Sequence, residues 1–418
     1  MEIKTVKGFK DIFGIDAQIF EEIEKVTSSV ASSFGYKFIV LPTVEYAELF
    51  DRTIGDATDI VEKEMFKFTD KGERTLALRP EMTASVARSF IEHHFETQPS
   101  PFKVYYFGPC YRYENPQKGR YREFYQFGIE ALGDISPVLD AEVINVAIKI
   151  VERFDIKNLK VKLNSIGCRV CRPNYKKALI EALEPHYDEL CEDCKRRLYT
   201  NPMRVLDCKK ESQELKNNLP KISDYLCDEC KNHFKELKTL LQQLDIPFEI
   251  DNTLVRGLDY YSKTVFEVIS EDLGAQNALL GGGRYDYLVE DLGGRKTPGV
   301  GFAMGIERLM EILKKSNYKL QSVGNVYIVY DRNFIQTAYE IANKLRGLNY
   351  IVEIDHKGDG IKKQIERASK RGANASVIIG EEEAKKQKVI VKNMKSGEQV
   401  EVNKNAIVEA IREAINNA

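Results

Sequence analysis

Cationic side chains collect in a polar stretch between two aromatic-rich segments, residues 111–113 and residues 124–129. Lys118, Arg120 and Arg122 lie in this stretch. Guanidinium groups bind phosphate oxygens in pairs and stay charged at every working pH, so a hairpin with this tip could embrace phosphates. An ordinary solvated surface hairpin would show the same pattern, and these residues alone do not decide between the two.

The cysteines form the second set with chemical potential, because all eight except Cys110 fall between residues 168 and 230. Two C-x2-C pairs have the separation typical of a four-cysteine zinc site, and residues 227 and 230 form a third pair. Buried thiols explain the clustering as well, since the cysteines outnumber the four ligands of one tetrahedral ion. Disulfides are a third alternative, although a reducing compartment disfavours them. No metal site is therefore assigned, and a structural Zn²⁺ is kept as a hypothesis for Cys168, Cys171, Cys191 and Cys194.

The composition limits the classes of function. The chain has 418 residues, of which 43% are hydrophobic and 30% charged, and its net charge is −2. A protein that coats nucleic acid needs a strong positive balance, so any RNA contact must be local. No apolar run approaches the ~20 residues that cross a bilayer, which predicts no membrane partner. The first residues carry no export signal, so we expect a cytoplasmic location.

The elements that must position these residues suggest an interrupted α+β fold. Apolar residues at helical spacing predict a long helix at residues 16–34, and short β-branched or aromatic runs predict strands. Most runs are close enough in sequence to pair as hairpins, which favours an antiparallel sheet. The predicted strands of this part are residues 38–41, 75–78, 103–106, 124–129, 159–163, 248–251, 264–268 and 277–280.

Changes of pattern along the chain predict four segments, in keeping with a length that exceeds one hydrophobic core. Residues 165–243 collect the cysteines and show helical patterns without strand-like runs. The tail alternates strands and amphipathic helices, which predicts a small α/β domain with parallel pairing. The predicted segments are a first core part at 1–164, a helical Cys-rich insert at 165–243, a second core part at 244–318 and a C-terminal domain at 323–418.

Five sequence segments, in order, resemble the motifs of histidyl-tRNA synthetases, a family of class II aminoacyl-tRNA synthetases. They are LRPEMT at 78–83, the cationic segment at 111–130, RGLDYY at 256–261, GGGRYD at 281–286 and GVGFAMGIER at 299–308. Any one of them could arise by chance, but the ordered set is highly specific and spans essentially the whole chain. The resemblance implies a class II antiparallel-sheet catalytic core with a helical insert and a C-terminal α/β anticodon-binding domain.

The same resemblance implies an activity and the residues that hold ATP. The family activates L-histidine with ATP, which Mg²⁺ accompanies, and transfers it to the 3′ end of histidine tRNA. Catalysis would rest on Arg112, which would hold the α-phosphate, and on Arg256, which would lie on its opposite side. Arg120 and Arg308 would bind the outer phosphates, and Phe124 would stack on adenine. Fixed positive charge suits this reaction, because negative charge builds on phosphorus and on departing pyrophosphate.

Selection of histidine needs a pocket that reads the two ring nitrogens and the ammonium group. Carboxylates and phenols can do this, and such a pocket rejects analogues that cannot hydrogen bond by on the order of 10⁴-fold, so no editing domain is expected. As isolated residues, the same tyrosines would simply be half-buried strand positions. The residues that the resemblance assigns to histidine are Glu81, Met82, Thr83, Gln126, Glu130, Tyr260, Tyr261 and Tyr285.

The remaining expectations concern partners. Gln117 and Arg122 could reach the extra 5′ guanosine that marks histidine tRNA, and the region around Pro42, which resembles motif 1, would form a homodimer. One alternative is the synthetase-like regulatory subunit of ATP phosphoribosyltransferase, which lacks the anticodon domain and the intact histidine signatures that this chain has. A second alternative is a synthetase-like module that binds uncharged tRNA without catalysis.

Overall fold

The computed structural model describes residues 3–54, 63–115, 121–270, 278–316, 318, 320 and 324–416. The chain divides into two units, Met1–Tyr318 and Lys319–Ala418, each of which has its own sheets and core. Gln117, Lys118 and Arg120 of the cationic stretch, and Asn277 at the start of a predicted strand, lie outside the described residues. Among the described residues, no helix combines the length and the apolar character that a membrane span requires.

Helices and strands of the first unit alternate irregularly, as in the predicted α+β pattern. Its strands are β1 (Lys37–Phe38), β2 (Val44–Tyr46), β3 (Lys67–Thr69), β4 (Thr75–Leu78), β5 (Phe102–Tyr111), β6 (Glu123–Leu132), β7 (Leu159–Ser165), β8 (Phe248–Ile250), β9 (Ser262–Ser270), β10 (Ala278–Arg284) and β11 (Gly299–Gly305). Its α-helices are α1 (Ile15–Ser33), α2 (Ala47–Ile54), α3 (Thr83–Glu92), α4 (Pro137–Glu152), α5 (Arg172–Leu183), α6 (Glu192–Thr200), α7 (Gln213–Asn218), α8 (Asp228–Gln243), α9 (Leu288–Asp291) and α10 (Ile306–Lys315).

An eight-stranded sheet with the order β1-β5-β6-β11-β10-β9-β7-β8 is the framework of this unit. Its central neighbours pair antiparallel, and only the outer pairs β1/β5 and β7/β8 are parallel. Strands β2, β4 and β3 form a separate antiparallel sheet. The predicted antiparallel sheet is therefore confirmed, and it is assembled from strands on both sides of the Cys-rich region.

Side chains alternate between the two faces of the long hairpin β5–β6, and the two faces differ in character. The Phe20 ring of α1 packs edge-on against Phe107 and Tyr125, with ring centroids 5.1 and 4.8 Å apart. These odd-numbered residues therefore face a helix. The even-numbered residues of the hairpin face the other way, and they include the polar positions Gln126 and Glu130.

Helix α4 fixes the strand that carries GGGRYD. The Ser136 side chain caps α4 by accepting the Val138 N–H at 3.2 Å, and a proline occupies its first turn, as helix starts favour. Within α4, the buried Asp140 accepts from Arg284 Nη1 at 2.6 Å and pairs with His233 Nε2 at 3.1 Å. Arg284 is fully buried, so it serves as a paired anchor between β10 and α4.

The Cys-rich region 165–243, all of which is described, contains helices and no strand beyond the end of β7. Its cysteines do not form the predicted site. Cys168 and Cys171 lie together with Cys227 and Cys230, and Cys191 and Cys194 lie in a second group with Cys208 and Glu211. The hypothesis of one zinc site formed by Cys168, Cys171, Cys191 and Cys194 is therefore wrong. Its two halves are separated by α5, about 18 Å long at the helical rise, whereas the start of α8 returns to Cys168.

The second unit is a small α/β structure. Its strands are β12 (Asn325–Tyr330), β13 (Ile351–Ile354), β14 (Ala375–Ile379), β15 (Lys388–Asn393) and β16 (Gln399–Asn403), and its helices are α11 (Ile335–Arg346), α12 (Ile361–Lys370), α13 (Glu381–Lys385) and α14 (Ile407–Asn416). The sheet order is β13-β12-β14-β15-β16. Parallel pairing is found between β12 and its neighbours β13 and β14, but β15 and β16 add antiparallel edges.

Candidate active site

One face of the eight-stranded sheet has a floor of small residues with reactive groups on both sides. A single row of cross-strand partners runs Tyr106, Gly128, Ala303, Gly281, Glu267. Cross-strand partners point to the same face of a sheet. The small residues Gly128, Ala303 and Gly281, which we call the sheet floor, therefore leave room for larger side chains above the sheet: the Tyr106 hydroxyl lies over Gly128, and the Arg256 guanidinium lies over Gly281.

Glu130 lies two residues beyond Gly128 on strand β6 and therefore on the same face of the sheet. It is only 1% exposed. Its Oε1 accepts hydrogen bonds from Thr83 Oγ1 at 2.7 Å and from the Tyr106 hydroxyl at 3.0 Å, and its Oε2 accepts from the Tyr285 hydroxyl. Burial raises the pKa of Glu130 to about 8, although the hydrogen bonds from Tyr285 and Thr83 oppose this effect. A β-carbon on Gly301 would collide with this carboxylate, so that glycine gives it room.

Three tyrosines that the sequence predicted for histidine lie together. The Tyr260 ring is 4.7 Å from the Tyr261 ring and 5.9 Å from the Tyr285 ring, measured between centroids. Burial raises the pKa of Tyr260 and Tyr285 well above the ordinary value, and it raises that of Tyr261 as well. All three therefore stay protonated and act as neutral hydrogen-bond donors.

Glu81 caps helix α3 and at the same time borders the tyrosines. Its two carboxylate oxygens accept the N–H groups of Thr83 and Ala84 at 2.7 and 2.8 Å, where the positive end of a helix stabilises negative charge. The Tyr260 hydroxyl donates to Glu81 at 3.5 Å. Burial raises the pKa of Glu81, against the lowering effect of the helix N–H groups. Met82, also predicted for histidine, is fully buried in the core at the start of α3.

Arg256 lies above the floor on the side of Glu267. Its Nη1 donates to Glu267 Oε1 at 2.6 Å, and its guanidinium carbon is 5.9 Å from the centroid of the Tyr261 ring. A β-carbon on Gly281 would collide with the guanidinium group, so the missing side chain makes this approach possible. Among the described groups, the buried Nε of Arg256 has no hydrogen-bond partner, which leaves a donor for a ligand.

Arg112 lies above the same face of the sheet. Its Nε donates to the Pro80 carbonyl at 3.0 Å, and its guanidinium carbon is 5.2 Å from the centroid of the Phe124 ring. Phe124 is an even-numbered residue of β6 and therefore shares a face with Gln126 and Glu130. The side-chain amide oxygen of Gln126, Oε1, accepts a weak hydrogen bond from Cys110 Sγ at 3.4 Å.

Glu307 and Arg308, at the start of α10, contact strands β6 and β10 of the same sheet. Arg308 Nε donates to the Ala278 carbonyl at 2.6 Å, at the first residue of β10. Glu307 is buried, and both of its carboxylate oxygens accept the Tyr125 N–H, at 2.9 and 3.1 Å. Burial raises the pKa of Glu307 to about 7. Glu307 thus supports the strand next to Phe124.

Most of the predicted residues lie on or beside one face of the sheet, apart from Met82 in the core and Arg308 at the start of β10. The sheet face brings together Glu81, Thr83, Arg112, Phe124, Gln126, Glu130, Arg256, Tyr260, Tyr261 and Tyr285. Arg122 instead lies at the base of the cationic hairpin, with its guanidinium carbon 3.5 Å from the centroid of the Tyr113 ring and its Nε donating to the Glu114 carbonyl at 3.2 Å. Gln117 and Arg120 lie outside the described residues.

Sequence reasoning missed two residues of the site. Tyr106 donates to Glu130, and Glu267 pairs with Arg256. Both lie in the floor row, directly across from glycines. The signal that could have found them is alternation within their strands, but it becomes usable only when the register of the pairs is known.

Comparison with known proteins gives the same assignment along the whole chain. The family model described as histidyl-tRNA synthetase matches residues 8–309, and the model described as anticodon binding domain matches residues 319–414. A protein of Caldanaerobacter subterraneus subsp. tengcongensis named histidine–tRNA ligase is 44% identical over 100% of both chains. One with the same name from Aquifex aeolicus is 46% identical over 96% of this chain and 98% of its own.

Among solved structures, the apo histidyl-tRNA synthetase of S. aureus superposes with a TM-score of 0.80 at 36% identity, covering 98% of this chain and 99% of that one. The fold expected from the sequence, a class II synthetase core followed by an anticodon-binding domain, is thereby confirmed. Matches of this extent and identity cover nearly the whole chain and show that it belongs to the histidyl-tRNA synthetase family.

Proposed function

We propose that this chain is an aminoacyl-tRNA ligase that activates L-histidine with ATP and transfers it to the 3′ end of histidine tRNA. The observation that carries the proposal is the joint placement of a buried Glu130 cluster and two arginines, Arg112 and Arg256, on one face of the sheet. A site for histidyl-adenylate needs both: a polar pocket for the imidazole and fixed positive charge for the phosphate.

Activation would join a histidine carboxylate oxygen to the α-phosphorus of ATP while the bond from that phosphorus to pyrophosphate breaks. Mg²⁺ would enter as part of the ATP substrate. Negative charge grows on the phosphorus oxygens, and fixed guanidinium groups lower the barrier without any reorganisation. The unpartnered Nε of Arg256 supports its role on one side of the α-phosphate, with Arg112 on the other. Arg308, and Arg120 beyond the described residues, would bind the outer phosphates.

Recognition of the imidazole would centre on Glu130. A carboxyl whose pKa is about 8 titrates close to imidazole itself, which has an ordinary pKa of about 6.5. Such a pair can share one proton between the carboxyl and a ring nitrogen. The neutral Tyr261 and Tyr285 phenols would complete the hydrogen bonds to the ring, and Glu81, Thr83 and Gln126 would receive the ammonium group.

Histidine-dependent ATP–pyrophosphate exchange tests this proposal without tRNA. We expect exchange with histidine and with no other amino acid, and a loss of at least about 10²-fold in Arg256→Ala, the scale seen when one preorganised donor is removed. Arg74→Ala is the control, because Arg74 forms an exposed ion pair with Asp70 and should exchange like the wild type.

The regulatory-subunit alternative predicts a different result. Folded protein that binds histidine but catalyses no exchange would favour it and overturn the proposal. The relatives named histidine–tRNA ligase, which match this chain from end to end, together with the anticodon-domain match, support the ligase over that alternative.

Finer parts of the proposal concern partners and organisation. We infer that residues 165–243 form an insert between the core parts 1–164 and 244–318, with residues 323–418 as the anticodon-binding domain. Gln117 and Arg122 stay predicted contacts for the 5′ end of histidine tRNA. Because its tRNA substrate is used in translation, we propose a cytoplasmic location. The homodimer prediction is supported by exposed apolar side chains around Pro42, namely Phe38, Val40, Val44 and Tyr46.

A further inference from the structure

The Cys-rich insert contains two compact groups of side chains that the proposed reaction does not use. The first thiol cluster comprises Cys168, Cys171, Cys227 and Cys230, and the second comprises Cys191, Cys194, Cys208 and Glu211. Within each group, all four ligand atoms lie within 4.8 Å of one another. We propose that each cluster binds one structural zinc ion.

Sulfur positions in the first cluster match a tetrahedral ion. Cys168 Sγ is 3.6 Å from Cys171 Sγ and 3.8 Å from Cys227 Sγ. Four sulfurs at the usual Zn–S distance of ~2.3 Å in a tetrahedron are about 3.8 Å apart, whereas disulfide sulfurs are about 2.05 Å apart. All of these cysteines are free thiols. The spacing is therefore that of four ligands around one small ion.

Hydrogen bonds and helix ends favour thiolates in the first cluster. The Val170 N–H donates to Cys168 Sγ at 3.4 Å, and the Cys227 N–H donates to Cys171 Sγ at 3.1 Å. Backbone donors of this kind orient metal-bound sulfur. Cys171 and Cys227 also immediately precede the first residues of α5 and α8, where the positive end of a helix stabilises an anion.

The second cluster has the same construction with one carboxylate. Cys191 Sγ is 3.7 Å from Cys208 Sγ, and Cys191 immediately precedes α6. Glu211 Oε1 accepts the Cys191 N–H at 2.9 Å, which fixes the carboxylate beside the sulfurs. Zinc accepts carboxylate oxygen at ~2.0–2.2 Å as well as thiolate. An iron–sulfur cluster does not fit either group, because its own atoms would have to separate the cysteine sulfurs.

Both clusters brace the segment that carries RGLDYY. Beside the first cluster, the Lys263 N–H donates to the Gly167 carbonyl at 2.9 Å, and Arg172 donates to the Tyr261 carbonyl. Downstream of the second cluster, Asn201 Nδ2 donates to Asp259 Oδ1 at 2.8 Å, and Arg204 donates to the Arg256 carbonyl at 2.8 Å. Zinc would thus hold the insert helices that support Arg256 and Tyr261.

Metal analysis of the full-length protein, purified under reducing conditions without chelator, tests the proposal directly. We expect about two zinc ions per chain in the wild type and about one in both Cys230→Ser and Cys194→Ser, since each variant removes a ligand from one cluster. Cys110→Ser is the matched control, because Cys110 is a buried cysteine outside both clusters and should keep about two.

A measurement on the wild type alone keeps the proposal testable if the variants fail to fold. Replacement of the metal by Co²⁺ should give the absorption of tetrahedral thiolate-bound cobalt. Fewer than about 0.2 zinc per chain with all thiols free would overturn both sites. Disulfides by mass spectrometry would do the same. A single zinc that only Cys230→Ser removes would overturn the second site.

Discussion

The most informative single residue is Glu130, a carboxyl held among three hydroxyl donors with almost no exposure to water. In protein without bound histidine, this carboxyl is buried with no imidazole to pair with it. Its raised pKa means that the folded protein holds a proton there at pH values where the unfolded chain has released it. The carboxyl to which we assign histidine recognition therefore lowers the stability of the ligand-free protein as the pH rises.

Replacement of Glu130 by glutamine should remove this pH dependence. The folded pKa is about 8 and the ordinary value is 4.5, so the stability of the wild type should fall relative to Glu130→Gln as pH rises between these values. We expect a relative change on the order of 2–4 kcal/mol, read from thermal unfolding without ligands at several pH values. Parallel stability curves for the two proteins would contradict it. Glu307→Gln should show the same trend, ending near pH 7.

For single residues, the sequence predicted most members of the candidate site but not which of them contact one another. The motif resemblance assigned Glu81, Glu130 and Tyr285 to one binding site, and in the structure these residues lie in one cluster. Tyr106 was not predicted, because the sequence does not show which residues lie next to a strand tyrosine until the register of β5 with β6 is known. The cysteine pairs were misgrouped for a related reason, since their order along the chain does not show that α8 returns to Cys168.

Among the elements, strand β10 is unusual because its residue Gly281 lets the guanidinium group of Arg256 lie close to the sheet. A side chain on Gly281 would occupy the space that the Arg256 guanidinium fills. In the proposed reaction, the strand would therefore contribute through the absence of a side chain at Gly281.

Gly281→Ala should consequently behave like an arginine mutant. We expect ATP–pyrophosphate exchange to fall by at least about 10-fold, because a displaced Arg256 loses its aim at the phosphate. Exchange assays and circular dichroism would be run beside Gly360→Ala, a site where a β-carbon meets no other atom. Normal exchange by folded Gly281→Ala would show that Arg256 tolerates the shift or does not act as proposed.

Elements were predictable to different degrees. Periodicity gave α1 to within a residue at each end, because the apolar spacing is regular and Gly35 ends it at a positive φ of 84°. The C-terminal sheet was harder. Alternation of strands and helices correctly predicted parallel pairing for β12, β13 and β14. Strand β16 was missed because it is short and four of its five residues are exposed, which leaves the alternation of Val400 and Val402 as its only apolar signal.

For the whole molecule, the main expectation is self-association. Four large apolar side chains near Pro42 are exposed, with Val40 at 79% and Phe38 at 53%. Scattered exposed apolar residues are ordinary, but a contiguous group marks an interface. Since motif 1 of the family lies here by resemblance, we propose this surface as the twofold contact.

Val40→Asp should therefore convert a dimer into a monomer, because a twofold interface would bury the new charge twice. Light scattering at working concentration should give the dimer mass for the wild type and half that mass for the variant. Val400→Asp is the control, since Val400 is an exposed valine on strand β16. A monomeric wild type would remove the dimer from the proposal.

Strand order has a further consequence for how the protein is made. Strand β6 carries Glu130, but its partner β11 begins roughly 170 residues later, after the whole insert. At synthesis rates of about 5–20 residues per second, the ribosome needs roughly 10–30 s to deliver that partner. During this interval the nascent chain exposes an unpaired β6 edge and has no floor beside Glu130. No fragment that ends before β11 can assemble the proposed histidine pocket, and chaperones have a defined edge to protect.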